Sequence, residues 1–114
     1  MAAEADHFEQ VLGASVAWRI EAFGARVAMV HLGDGPPLLL ADHIEGDRPV
    51  LVYRVPDLDA ELAELEGRGW RRETAFGIPP GPCCELHTPG GHRIAIYEPT
   101  RPGVVDGFEG RRDF

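Results

Sequence analysis

Residues 81–98, Gly-Pro-Cys-Cys-Glu-Leu-His-Thr-Pro-Gly-Gly-His-Arg-Ile-Ala-Ile-Tyr-Glu, constrain the fold of this chain more than any other stretch. They read as a β-hairpin, two strands joined at Thr88-Pro89-Gly90-Gly91. Pro89 presets φ for the second position of a turn, and Gly90 and Gly91 supply the positive φ that follows. Upstream, residues 50–55 (Val-Leu-Val-Tyr-Arg-Val) read as a strand, and Pro56-Asp57 opens a helix. Residues 49–98 therefore spell β-α-β-β-β.

The chain before them repeats that order without the leading strand. Residues 2–12 are mostly helix formers, Gly13 is a suitable stop, and Phe8, Val11 and Leu12 have the spacing of a core-facing helical stripe. Val16, Trp18 and Ile20 alternate with polar or small neighbours as in a strand; Gly24 ends that strand and residues 26–32 make the next. Residues 33–37 form a turn, residues 38–43 a third strand, and residues 44–49 a linker between halves. In the second half Asp57 is a sound helix N-cap, and Leu58, Leu62 and Leu65 stripe the helix that follows. Residues 70–76 are expected as a strand and residues 78–82 as a proline-rich loop; residues 99–114 lack periodicity and form a tail. Duplication of one small unit predicts an α+β fold, in which two βαβββ-type modules form curved mixed sheets around a cavity. The expected layout is a single domain over residues 1–114: a first module at 1–44, a second at 49–98 and a tail at 99–114.

Composition narrows the function. A net charge of −8, from 19 acidic and 11 basic side chains, lacks the basic surface that nucleic-acid binding needs. No apolar run reaches the roughly 18 residues of a membrane span. No charged-then-apolar leader precedes a cleavage site, so the cytoplasm is the expected location. Cys83 and Cys84 are the only cysteines; adjacent strand residues point to opposite faces, so they are expected as reduced thiols.

Three segments resemble one family. Residues 52–69 look like the strand-helix opening of a vicinal-oxygen-chelate module, the superfamily of glyoxalase I, extradiol dioxygenases, fosfomycin-modifying enzymes and bleomycin-binding resistance proteins. Residues 88–93 resemble its Asp-Pro-Asp-Gly-Asn turn before the last strand, and residues 8–13 its first-helix signature Phe-Tyr-x-x-x-Leu-Gly. Enzymes of that group chelate a divalent metal through His, Glu or Gln on the first and last strands of the modules. Carried over, those positions fall on Val50, Ala95 and near Leu39, and the remaining one belongs to the strand this chain lacks. Apolar side chains do not coordinate such cations. Glu98 lies on the last strand but, three residues on, faces the other way from Ala95. The resemblance therefore implies no metal and no other cofactor.

Strand parity gives the side chains that would line the cavity. With Val50 and Ala95 inward, Val52, Arg54, Arg93 and Tyr97 join them, and the resemblance adds Cys83, Glu85 and His87. Leu39, Ala41 and His43 are the inward set on the 38–43 strand. Arg54, Cys83, Glu85, His87, Arg93, Tyr97 and His43 are thus the candidate ligand-binding residues. Apolar walls with a few polar groups suit a small organic molecule; the other use of Arg54, Glu85 and Arg93 is a cross-strand ion-pair ladder. A Cys83–His87 nucleophile pair is disfavoured, because four residues of strand span about 13 Å.

Three function classes follow: a metal-independent small-molecule-binding protein, in the antibiotic-sequestering style of the resistance members; a metal-free lyase- or isomerase-like enzyme using Glu85, His87 or Tyr97; or a non-catalytic structural or regulatory module. A homodimer is expected, because the missing leading strand leaves an open sheet edge for a partner or the 99–114 tail to cover.

Overall fold

The computed structural model describes residues 1–22, 24–43 and 49–114. Helix α1 (Ala2–Gln10) is followed by β1 (Ser15–Ala22), β2 (Ala25–His31) and β3 (Leu38–Ala41); then come β4 (Leu51–Arg54), α2 (Leu58–Gly67), β5 (Arg71–Ile78), β6 (Gly81–His87) and β7 (Arg93–Tyr97). Among the described residues the fold is α+β, with two α-helices and two unclosed sheets: one of three strands in the order β1-β2-β3, one of four in the order β4-β7-β6-β5. Two units contain them, the first built from Met1–Gly46 and Asp106–Phe114, the second from Asp47–Val105. The linker expected at residues 44–49 lies, up to position 48, outside the described residues.

In the second unit β4 pairs in parallel with β7, and β7, β6 and β5 pair antiparallel. The register puts Leu86, Ile94, Cys84 and Ile96 on one face, where they form a core with Leu58 and Leu62 of α2. Asp57 caps α2 as expected, accepting from the Ala60 amide at 3.1 Å, and Leu65 and Trp70 pack at the edge of this core.

Two details of this unit depart from expectation. The proline-rich stretch is no extended loop: β5 runs to Ile78 and β6 starts at Gly81, leaving only Pro79-Pro80 to reverse the chain. In the β6–β7 turn only Gly91 has positive φ (86°), since the Thr88 carbonyl, accepting from the Gly91 amide at 2.8 Å, closes the turn around it.

The first unit departs further. Helix α1 stops at Gln10; Val11 and Leu12 lie beyond it and are exposed, and the helix buries Ala5 instead of the expected stripe. Gly13, at φ 72°, does turn the chain. A bulge between Val16 and Trp18 puts an extra residue in β1, so Val16 no longer shares a face with Trp18 and Ile20. Strand β3 ends at Ala41, so His43 lies outside the alternation expected to aim it.

The tail docks on β1. The Arg19 amide donates to the Arg111 carbonyl at 2.8 Å, the Asp113 amide to the Arg19 carbonyl at 2.7 Å, and the Gly110 amide to the Ala17 carbonyl at 2.9 Å, a parallel pairing. Phe108 meets the buried Trp18 ring edge-on at 5.4 Å, and Phe114 covers the guanidinium of Arg19, itself paired with Asp6 at 2.9 Å. The second unit shows which edge this is. There the leading strand β4 flanks the last strand β7, so a leading strand of the first unit would flank β3. The tail covers the opposite edge, and among the described residues no strand pairs with the outer side of β3.

Candidate functional site

With α2 covering one face of the four-stranded sheet, the other face carries what alternation puts there. In register, Arg54 lies beside Tyr97 and Tyr97 opposite Cys83; Val52 lies beside Ala95 and Ala95 opposite Glu85; Arg93 lies opposite His87. Six of the seven candidate residues therefore share one sheet face. The seventh, His43, belongs to the first unit, on an exposed bend after β3.

Ion pairing divides this face. Arg93 Nε donates to Glu85 Oε1 at 2.7 Å, along the diagonal between neighbouring strands, with both side chains only a fifth exposed (20% and 19%). Such partial burial keeps the pair more ordered than a fully solvated one. His87 Nδ1 lies 3.2 Å from Glu73 Oε2. Glu73 is the extra residue of a β5 bulge between Arg72 and Thr74, and bulges leave no trace in alternation, so sequence reasoning passed it over. Among the described residues no ion pair links Arg54 to this pair.

The thiols are quiet. Burial, with the neighbouring Cys84, pushes the Cys83 thiol up to about 11, and burial also raises Cys84. Both are free and buried. A thiol held protonated at neutral pH is a poor nucleophile, and Cys83 sits four strand residues from His87.

At the turn end of the sheet lies a groove of about 460 Å³ lined by Pro49, Leu51, His87, Gly91, His92 and Arg93. It adds His92 and Leu51 to the candidates. Strand parity selects neither, since His92 lies in the turn and Leu51 on the helix side; only the position of both at the sheet's end brings them to one groove. Tyr97 lies at the other end, about 13 Å from Arg93 by the strand rise.

The metal-ligand positions implied by the resemblance, Val50, Ala95 and Leu39, bear apolar side chains, and among the described residues no three His, Cys, Asp or Glu side chains converge as a metal site. Glu98 instead accepts from the backbone amide of Leu58 at 2.8 Å. No described helix is long and apolar enough to cross a membrane.

No family model and no curated protein matches the chain. Among solved structures it is similar to an antibiotic-binding protein from a Streptomyces species, with 23% identity and a TM-score of 0.40 over 83% of this chain and 83% of that one. It is similar to a fosfomycin resistance protein from Listeria monocytogenes, with 7% identity and a TM-score of 0.40 over 89% and 85% of the two chains. A lactoylglutathione lyase from Agrobacterium tumefaciens gives 17% identity and a TM-score of 0.38 over 94% and 88%. A glyoxalase/bleomycin resistance protein from the same Streptomyces source and a glyoxylase/bleomycin resistance protein/dioxygenase domain from a Frankia species are also among the similar structures.

Proposed function

We propose that this protein binds a small organic molecule, without a resident metal, on the face of the second sheet opposite α2, and that it sequesters rather than transforms its ligand. The observation that carries this reading is the Glu85–Arg93 pair. An ordered, four-fifths-buried ion pair offers both a donor and an acceptor to a ligand beside the apolar Val52 and Ala95. The groove formed by Pro49, Leu51, His87 and His92 extends that surface at a volume suited to a small molecule.

The metal-free enzyme reading has less support. Acid/base catalysis needs two groups within reach of one reacting point. Glu85 is engaged by Arg93, His87 by Glu73, and Tyr97 lies at the far end of its strand from Arg93. Homodimerisation is part of the proposal: among the described residues β3 is an edge strand whose Leu38 and Leu39 are exposed, and a second copy would cover them.

The test is a thermal-shift screen with a panel of antibiotics beginning with bleomycin and fosfomycin, each with and without EDTA, followed by calorimetric titration of any hit. Stabilisation that survives EDTA and is lost in Arg93→Met supports the reading. No shift across the panel, or one that requires a divalent metal, counts against it.

A further inference from the structure

The second unit has another concavity, on the α2 side of the sheet. It measures about 410 Å³ and lies where α2 meets the edge strand β4, with Tyr53, Leu65 and Trp70 around it, Ile94 and Ile96 at its base and Glu61 on its wall. Val55 and Arg54 complete the lining; alternation in β4 sends Tyr53 to the α2 side and Arg54 to the other.

Glu61 is out of keeping with its place in the helix. Leu58, Leu62 and Leu65 make the sheet-facing stripe, and Glu61, three residues after Leu58, falls on that same stripe. It is half-buried, and among the described residues its carboxylate has no hydrogen bond or ion pair, although α2 and β5 form such pairs through Glu64–Arg68 and Glu66–Arg72. The first turn of α2 tolerates a negative charge, because the free backbone N–H groups there are the positive end of the helix dipole. A partly desolvated carboxylate facing an apolar wall still gains from a cation that replaces lost water. Trp70 and Tyr53 are aromatic groups on which a flat or cationic ligand packs.

We infer that this cleft is a second binding site, for an aromatic ring bearing an amine or amidine: the ring lies against Trp70 and Tyr53, and the cation meets Glu61. The site is independent of the Glu85–Arg93 face, on the other side of the sheet.

Benzamidine and phenethylamine are suitable probes, with 2-phenylethanol as the uncharged counterpart. In proton–nitrogen correlation spectra the chain gives two indole N–H peaks, from Trp18 and Trp70, assigned by their loss in Trp18→Phe and Trp70→Phe. The expected result is a saturable shift of the Trp70 peak by both amines in the millimolar range, with the Trp18 peak unmoved. Glu61→Gln should weaken it at least tenfold while its spectrum otherwise overlays the parent's, and 2-phenylethanol should bind at least tenfold more weakly. Arg93→Met should bind the amines normally, which separates this site from the sheet-face proposal. No Trp70 shift at about 10 mM probe, equal binding by Glu61→Gln, or equal binding of the uncharged probe would each overturn it.

Discussion

The carboxylate of Glu98 accepts a hydrogen bond from the backbone amide of Leu58 at 2.8 Å, so the residue just beyond β7 satisfies one of the free N–H groups that open α2. Asp57 satisfies another, through Ala60. The helix is thus capped once from its own flank and once from 40 residues away. Glu98→Ala should cost about 1 kcal/mol, the usual worth of a cap, read as a lower urea midpoint with an unchanged slope. Glu98→Gln, which keeps an oxygen acceptor, should lose less.

The same residue limits position 81. A Cβ on Gly81 would run into the backbone carbonyl oxygen of Glu98 and press on Oγ1 and the backbone nitrogen of Thr100, and the two backbone atoms cannot step aside. Gly81→Ala should therefore cost about 1–3 kcal/mol, as overpacking does. Gly107→Ala, where an added Cβ meets nothing within 4 Å, is the matched control and should change stability little.

Alkaline pH should destabilise the second unit. With the Cys83 value raised to about 11 by burial, the folded state holds its proton where the unfolded chain, near the ordinary 9, has released it. Stability from this source is complete below pH 9 and is lost as pH rises from 9 to 11. All 11 basic side chains are arginines, so no lysine titrates in that window, and Cys84, also raised by burial, adds to the decline. Urea midpoints measured from pH 8 to 11 should fall, and Cys83→Ala should flatten the decline. In the native protein at pH 8 a thiol reagent should label neither cysteine within minutes, and both in denaturant.

The docked tail has its own pH signature. Asp113 is held below the ordinary carboxylate range, first by the Glu21 amide, which donates to it at 3.0 Å, and then by Arg111. A carboxylate lowered in this way stabilises docking above its unfolded value and ceases to do so as pH falls through its folded value. Tail docking should therefore be constant from pH 5 to 8 and loosen only in acid below about 4. Asp113→Asn should speed amide exchange at Glu21 and trypsin cleavage after Arg111 and Arg112 at neutral pH. Removing residues 106–114 should go further and give self-association by sedimentation, because the amide and carbonyl of Arg19 would be left on an open strand edge.

How legible the structure was depends on distance along the chain. In the second unit, strand parity sorted Cys84, Leu86, Ile94 and Ile96 from Cys83, Glu85, Arg93 and Tyr97 correctly, because alternation is a local property and Pro56, Gly69 and Gly81 punctuate the elements. The helical stripe Leu58–Leu62–Leu65 was legible for the same reason. Bulges at Val16 and Glu73 were not, since one inserted residue resets parity without a compositional mark. Val11 and Leu12 misled because apolar spacing continued past the point where α1 ends. The burial of Arg19 was beyond local reading: its neighbours Asp6 and Phe114 lie in the first and last ten residues of the chain. At the site, the shared face of six candidates was legible, whereas the pairing of His87 with Glu73 and the groove at the turn end depend on strand ends that periodicity does not locate.

The first unit is assembled from both ends of the chain, whereas the second is one continuous stretch. During synthesis the second unit has all its strands once Tyr97 has emerged, while the edge of β1 waits for Asp113, which comes after them. On the ribosome the second sheet should thus be complete before the edge of β1 is closed.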